Sequence, residues 1–415
     1  MRILLFALAF IISITLTLSN FSRADVRGYV KTTGYYFTDK GELIYGNKKM
    51  IGIELGMKFS FPFYDLGKGS SSFKFYANNL TGTPDNKLSL NEGYLDIYTS
   101  EVDLRLGKQY IFWGRADGTD TPTNNINPRD LTRIKPDPEE ERIAVDALKA
   151  NWYVNDSLVI QGVWIPEFTP SKLPEIPLPS FIILGKPITP SSELKNSSWG
   201  LKIDKFTRGV DFSFDYLYGW DSFPDYKINL PYFVPTYNRI KIYGADFSTG
   251  IRGFDVRGEV AYFQTRDKKG DSLSIKNPYL QYVFEMGYPV TDNLNVIGQL
   301  IGKNIYHFKS PSDYPPSEQA IAKELSVFYG EQKKSQYSLL THITYSTWYD
   351  KLKLEFIGIY NLTMHDYFLS PKISYELGKG LNLGFGAMVF EGKSDTQFGM
   401  MDNQDFVWLE TKYSF

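Results

Sequence analysis

The sequence predicts an all-β fold: a single transmembrane antiparallel β-barrel of about eighteen strands. Three observations lead there. Apolar and polar residues alternate at period two through most of the chain. The alternating segments are joined by connections that are by turns short and long. Beyond residue 24, nothing approaches the ~18 consecutive apolar residues of a spanning helix.

The chain opens on Met1-Arg-Ile-Leu-Leu-Phe, a short basic start before an apolar run, and Ser22-Arg-Ala24 places small residues where a signal peptidase reads. Residues 1–24 are therefore expected to be a cleaved signal peptide, with one barrel domain over residues 25–415. Cleavage before Asp25 removes Arg2 and Arg23 and leaves 391 residues with a formal charge of −4. No hydrophilic domain precedes the first strand, so neither a plug nor a passenger domain is expected.

Turn signals divide the remainder into candidate strands near 26–37, 49–63, 71–81, 88–98, 102–112, 144–154, 157–166, 197–206, 210–220, 240–249, 253–266, 277–290, 293–307, 337–349, 351–364, 367–377, 381–392 and 404–415. In the second, Ile51, Ile53, Leu55, Met57, Phe59 and Phe61 alternate with Gly52, Glu54, Gly56, Lys58 and Ser60. In the ninth, Val210, Phe212, Phe214, Tyr216, Tyr218 and Trp220 alternate with Asp211, Ser213, Asp215, Leu217 and Gly219. A charge facing lipid at mid-depth costs about 2–4 kcal/mol, so the charged face of each strand is assigned to the interior. Connections after even strands are short, such as Asn155-Asp-Ser157 and Tyr349-Asp350. Those after odd strands include 113–143, 167–196, 221–239 and 308–336. Short periplasmic turns and long outer loops produce this rhythm.

Composition narrows the function classes. Thirty Tyr and thirty Phe suit aromatic girdles at two bilayer interfaces. Absence of cysteine excludes disulfides, thiolate zinc, iron–sulfur clusters and c-type haem attachment. The three His, at 307, 342 and 365, are too dispersed to suggest a metal site. No cofactor is expected, and the mildly acidic balance gives no case for nucleic acid. Catalysis finds little support: there is no Gly-x-Ser-x-Gly elbow or phosphate loop, and His342 and Ser346, four apart on a strand, are too distant to bond.

The predicted interior carries both signs: Glu54, Lys58, Asp103, Arg105, Lys202, Asp204, Asp215, Arg257, Glu259, Lys353 and Glu355 are candidate lumen-lining residues. A strongly anion-selective channel would show a one-sided row of Arg and Lys, so a weakly selective or salt-bridged lumen is expected. Two outer loops, 173–184 and 228–235, are proline-rich and apolar, and are expected to pack on each other as a lid. Ser317 begins a pattern expected to form a short surface helix to Phe328.

The last strand places Val407, Leu409, Thr411, Tyr413 and Phe415 on one face and Phe406, Trp408, Glu410, Lys412 and Ser414 on the other. It resembles the closing strand of bacterial outer-membrane barrels, which implies that Tyr413 and Phe415 form part of an insertion signal read by the barrel-insertion machinery. The segment from Leu104 to Arg133, with its Gly-Lys-Gln, Trp-Gly-Arg and Asn-Pro-Arg-Asp elements, is similar to a motif of uncharacterised outer-membrane barrels of the alginate-export and porin-like groups. That resemblance implies a Gram-negative outer-membrane, porin-like channel in contact with the lipid bilayer, passing small polar solutes. In porins the third outer loop folds inward. By that analogy Arg115, Asp117, Asp120, Arg129, Asp130 and Arg133 are candidate constriction residues. The plainer reading puts Tyr110 and Trp113 in the outer aromatic girdle, pairs Arg115 with Asp117 on the surface and takes Asn127-Pro128 as ordinary turn chemistry. A second reading of the whole is a non-conducting barrel that sheathes or assembles an export or electron-transfer complex; a third is an outer-membrane enzyme. A homo-oligomer and a periplasmic or lipoprotein partner stay open.

Overall fold

A computed structural model describes residues 24–38, 49–63, 66–78, 85–118, 121–132, 138–173 and 182–415. The leader lies outside these residues. Eighteen antiparallel strands form one closed barrel. They are β1 (Asp25–Phe37), β2 (Lys49–Phe63), β3 (Gly67–Asn78), β4 (Asp85–Tyr98), β5 (Val102–Gln109), β6 (Val145–Asn155), β7 (Leu158–Ile165), β8 (Ser198–Lys205) and β9 (Val210–Trp220). The second half comprises β10 (Arg239–Ile251), β11 (Phe254–Gln264), β12 (Tyr279–Thr291), β13 (Leu294–Ile305), β14 (Ser335–Thr347), β15 (Leu352–Asn361), β16 (Tyr367–Gly378), β17 (Leu381–Glu391) and β18 (Phe406–Ser414). Each strand expected from the sequence is present, with ends shifted by a few residues.

Every strand pairs with its chain neighbours, and β18 closes on β1 from Tyr29↔Ser414 to Phe37↔Phe406. Closure leaves no edge, so every backbone ladder can be satisfied inside a bilayer. The register keeps the two faces of neighbouring strands in step. Lys31 stands opposite Glu54 and Lys412, Asp215 opposite Lys202, and Asp246 opposite Glu259. The other face exposes Ile51, Phe214, Val260, Leu300, Phe385 and Leu409. A chain with its apolar side chains outward and its charges inward is built for lipid outside and polar surroundings inside.

The closing seam is tight. Phe415 and Gly28 exchange backbone hydrogen bonds of 2.8 and 2.9 Å, and the Phe415 ring lies across Gly28. A Cβ at Gly28 would come within 2.7 Å of that ring and 2.8 Å of the Gly56 carbonyl oxygen, which only glycine avoids. Tyr413 and Phe415 both point outward with rings 6.2 Å apart.

The outer loops carry their own structure. Strand segments 225–229 and 232–236 form a hairpin, and Tyr232-Phe233 pairs in parallel with Ile183-Leu184. The two proline-rich loops thus meet; residues 174–181 lie outside the described set. Helix α1 (Gln319–Phe328) begins after Glu318, and its Ile321 and Leu325 bury against Phe233, Ile182 and Tyr226. It is therefore half-buried in a loop core, where the sequence suggested only a surface helix starting at Ser317.

Candidate functional site: the third outer loop against the inner wall

The loop from Tyr110 to Ala144 joins β5 to β6 and turns into the barrel. Its root is fixed by Asn127, a buried side chain whose Oδ1 accepts from the Ile111 N–H at 2.7 Å and whose Nδ2 donates to the Ile143 carbonyl at 2.9 Å. A buried amide satisfied on both ends ties the two arms of the loop together. The sequence suggested only turn chemistry at Asn127-Pro128.

An apolar cluster anchors the loop. Ile111, Trp113 and Ile126 pack against Val145, Val163, Leu217, Ile242, Ala261 and Phe263, which project from the inner faces of β6, β7, β9, β10 and β11. Trp113 is only 3% exposed, and its Nε1 donates to Gln161 Oε1 at 2.6 Å. It therefore belongs to the interior, which corrects the girdle reading. A lipid-facing indole would bury nothing of the loop, whereas here the ring joins loop to wall.

Past Trp113 the backbone meets a row of carboxylates. The N–H groups of Arg115 and Ala116 both donate to Glu259 Oε1 at 2.7 Å, and the Thr123 hydroxyl donates to Glu259 Oε2 at 2.7 Å. Asp117 N–H donates to Glu285 Oε2 at 2.6 Å, and Gln299 bridges Asp117 O and Glu285. Gly114, at φ +93°, allows this approach: a Cβ there would stand 2.5 Å from both Glu259 Oε1 and Thr123 Oγ1.

The Arg115 side chain reaches Asp246 at 2.6 Å and Asp204 at 3.1 Å. It does not pair with Asp117, as the plainer reading had it. Asp117 instead lies 3.2 Å from His342 Nδ1, and His342 Nε2 lies 3.0 Å from Glu355. The bond from His342 holds the Asp117 carboxyl below its ordinary pKa, against the opposing effect of burial. On the return arm, Glu140 accepts from Lys31 of β1 at 3.0 Å. The loop thus has polar ties to β7, β8, β10, β11, β12, β13 and β14, and to β1 where the barrel closes.

Electrostatics explain the preference for this wall. Strands β8–β12 carry Asp204, Asp211, Asp215, Asp246, Asp255, Glu259 and Glu285 in register on the inner face, against Lys202 and Arg257. The loop offers a guanidinium and several N–H donors to that excess of negative charge.

The other candidate residues fall into place around this. Glu54 accepts from the Tyr29 hydroxyl and lies 3.6 Å from Lys74. Arg105 grips Asp96 with two bonds of 2.6 and 2.9 Å. Asp103 accepts from Tyr153, and Lys372 lies 3.5 Å from Glu355. Lys58 and Lys353 are exposed at inward register positions opposite Arg27 and Ser374. Arg129 and Asp130 stand apart from Arg115 and Asp117. Arg129 pairs with Glu141 at 2.7 Å, and Asp130 with Lys172 of the next outer loop at 2.7 Å. Burial works against the Asp130 anion, but bonds from Lys172 and Thr132 outweigh it and keep its pKa low. Asp120 and Arg133 lie outside the described residues. His342 and Gln299 are contacts that the sequence did not point out; they share the inner face of neighbouring strands, but nothing local marks them as loop partners. Among the described residues, no group of three His, Cys, Asp or Glu is arranged to hold a metal.

A closed antiparallel barrel of this kind, with apolar side chains outward and charges inward, has a porin-like transmembrane β-barrel fold. The chain belongs to the family described as "Protein of unknown function (DUF1302)", whose model matches residues 90–415. In structure it is similar to Acinetobacter baumannii OccAB4, with a TM-score of 0.57 at 10% identity over 95% of this chain and 98% of that one. It is also similar to Pseudomonas aeruginosa OccK8 (OprE), with a TM-score of 0.55 at 10% identity over 94% and 98%. At such identity the likeness speaks for the fold. No curated protein matches the sequence.

Proposed function

We propose that the protein resides in the bacterial outer membrane and acts as a porin-like channel for passive diffusion of small polar solutes, with the third loop limiting the opening. The observation that carries this reading is the polar attachment of Arg115, Ala116, Asp117 and Thr123 to the inner wall. A loop held this way narrows the bore while leaving charged groups to solvate a path. Arg115 and Asp117 are the constriction residues of this proposal; Arg129 and Asp130 hold the loop to its outer neighbour. Among the eleven lumen charges, the exposed Lys58 and Lys353 and the half-buried ones serve as the solvated lining, whereas Lys202, Asp215 and Glu259 are buried; Tyr413 and Phe415 serve as the insertion signal. Reversal potentials across a salt gradient test the loop's role. Arg115→Glu should shift selectivity toward cations; unchanged selectivity in both Arg115→Glu and Arg129→Glu would remove the loop from the filter.

A second reading has its own support. Phe37, Met50, Met388, Phe390, Phe406 and Trp408 form a buried cluster on the inner face at the outer ends of β1, β2, β17 and β18. With the cluster around Trp113, it makes much of the outer half of the lumen apolar. A barrel so lined could instead sheathe a partner without conducting, and co-purification of a stoichiometric partner with a silent barrel would favour it.

A further inference from the structure

The outer loops line a half-open cavity of about 640 Å³ between residues 188–190 of the fourth loop, the ends of β9 and β10 with the fifth loop, and Arg266, Ser274 and Ile275 of the sixth. That volume falls in the ordinary range of small-molecule sites. Its wall combines aromatic rings, Trp220 and Tyr237, with three cations, Lys227, Arg239 and Arg266. Among the described residues that line it, none is an aspartate or glutamate.

The aromatic part is preassembled. Phe168 packs on Tyr237 at 4.9 Å and on Trp220 at 6.3 Å, and Trp220 Nε1 donates to the Asn196 carbonyl at 2.7 Å. Arg239 lies over the Trp220 ring at 4.3 Å and donates to the carbonyls of Ser197 and Lys195, both at 2.9 Å. Its charge is thus met by ring faces and carbonyl dipoles, without a carboxylate. Arg266 donates to Asn238 Oδ1 at 2.9 Å and leaves the rest of its fork exposed. The nearby carboxylates are committed elsewhere: Asp221 and Asp225 lie 3.0 and 3.5 Å from Lys276, and Asp225 also accepts from Asn238.

From this arrangement we infer that the cavity is a binding site for an organic anion with a flat apolar body, such as an aromatic carboxylate or sulfonate. The rings of Trp220 and Tyr237 would take the body, and Arg266 with Lys227 the anionic group. The site stands whether or not the lumen conducts.

Titration calorimetry of the refolded full chain with 2-naphthoate tests it, with 2-naphthylmethylammonium and acetate as controls for charge and for ring. Saturable binding is expected for naphthoate alone, weakened about tenfold or more in Arg266→Gln and in Lys227→Gln, the scale of one lost charge-assisted bond. Both side chains are exposed, so neither change should disturb folding; Arg239 is left intact because it holds the fourth loop. Absence of saturable binding, equal binding of the ammonium analogue, or unchanged binding in both variants would overturn the assignment.

Discussion

Replacing Arg115 by Met tests how the third loop is held. The side chain is mostly buried and serves Asp246, whose own side chain is fully buried, and Asp204. Deleting one partner of a buried pair costs about 3–5 kcal/mol when the other is left alone. Here it is not left alone: Lys202 stands 3.4 Å from Asp246 and 3.5 Å from Asp204, and Ser213 also donates to Asp246. About 2–3 kcal/mol is therefore the reasoned loss, taken from loop docking and not from the barrel. Hydrogen exchange reads that quantity directly, because the N–H groups of Ala116 and Asp117 bond to Glu259 and Glu285 only while the loop is docked. Their exchange should accelerate roughly 30- to 150-fold, with the amides of β11 and β12 unchanged. Unchanged rates at 116 and 117 would refute the reasoning, as would an acceleration spread evenly over the barrel.

The apolar anchor gives a companion result: Trp113→Ala should cost loop docking about 3–5 kcal/mol, seen as accelerated exchange at Ile111 and Thr123. Glu331 of the seventh outer loop is buried beside Asn277, and burial raises its pKa from 4.5 to about 7. The folded loop then binds more protons than the open one, so its stability should fall as pH rises from about 4.5 to about 7, by at most about 3 kcal/mol. Exchange at the Asn277 amide, corrected for its intrinsic pH dependence, should show that slope in the wild type and lose it in Glu331→Gln. At the seam, Gly28→Val should displace the Phe415 ring and slow barrel closure, measured as delayed appearance of the heat-modifiable band during refolding; wild-type kinetics would separate Phe415 from the closing step.

The strands were legible because the bilayer imposes a strict rule. Ile51 to Phe61 and Val210 to Tyr216 alternate without interruption, since every lipid-facing place must be apolar and only the lumen tolerates Glu54, Lys58 or Asp215. The rule weakens where the inner face is not wet. Leu217, Ile240, Ile242 and Phe263 are inward-facing and apolar, and no alternation distinguishes a position that meets a folded loop from one that meets water. Trp113 was ambiguous for the same reason: an indole near a strand end suits a girdle or a buried anchor equally, and only the position of Gln161 decides. The third loop's polar partners come from eight strands spread over the chain, so no spacing foretells Arg115 with Asp204 and Asp246, or Asp117 with His342. Asn127 shows only turn chemistry in the sequence because its two partners, Ile111 and Ile143, are sixteen residues away on either side.

The proposed function requires that the lumen conduct past a docked third loop. Single-channel recording of the refolded mature chain in a planar bilayer addresses it most directly. Steady, well-defined conductance steps are expected, with an ion selectivity that changes on Arg115→Glu. Silence from a correctly folded, heat-modifiable barrel would contradict it and favour a lumen closed by its loop or occupied by a partner.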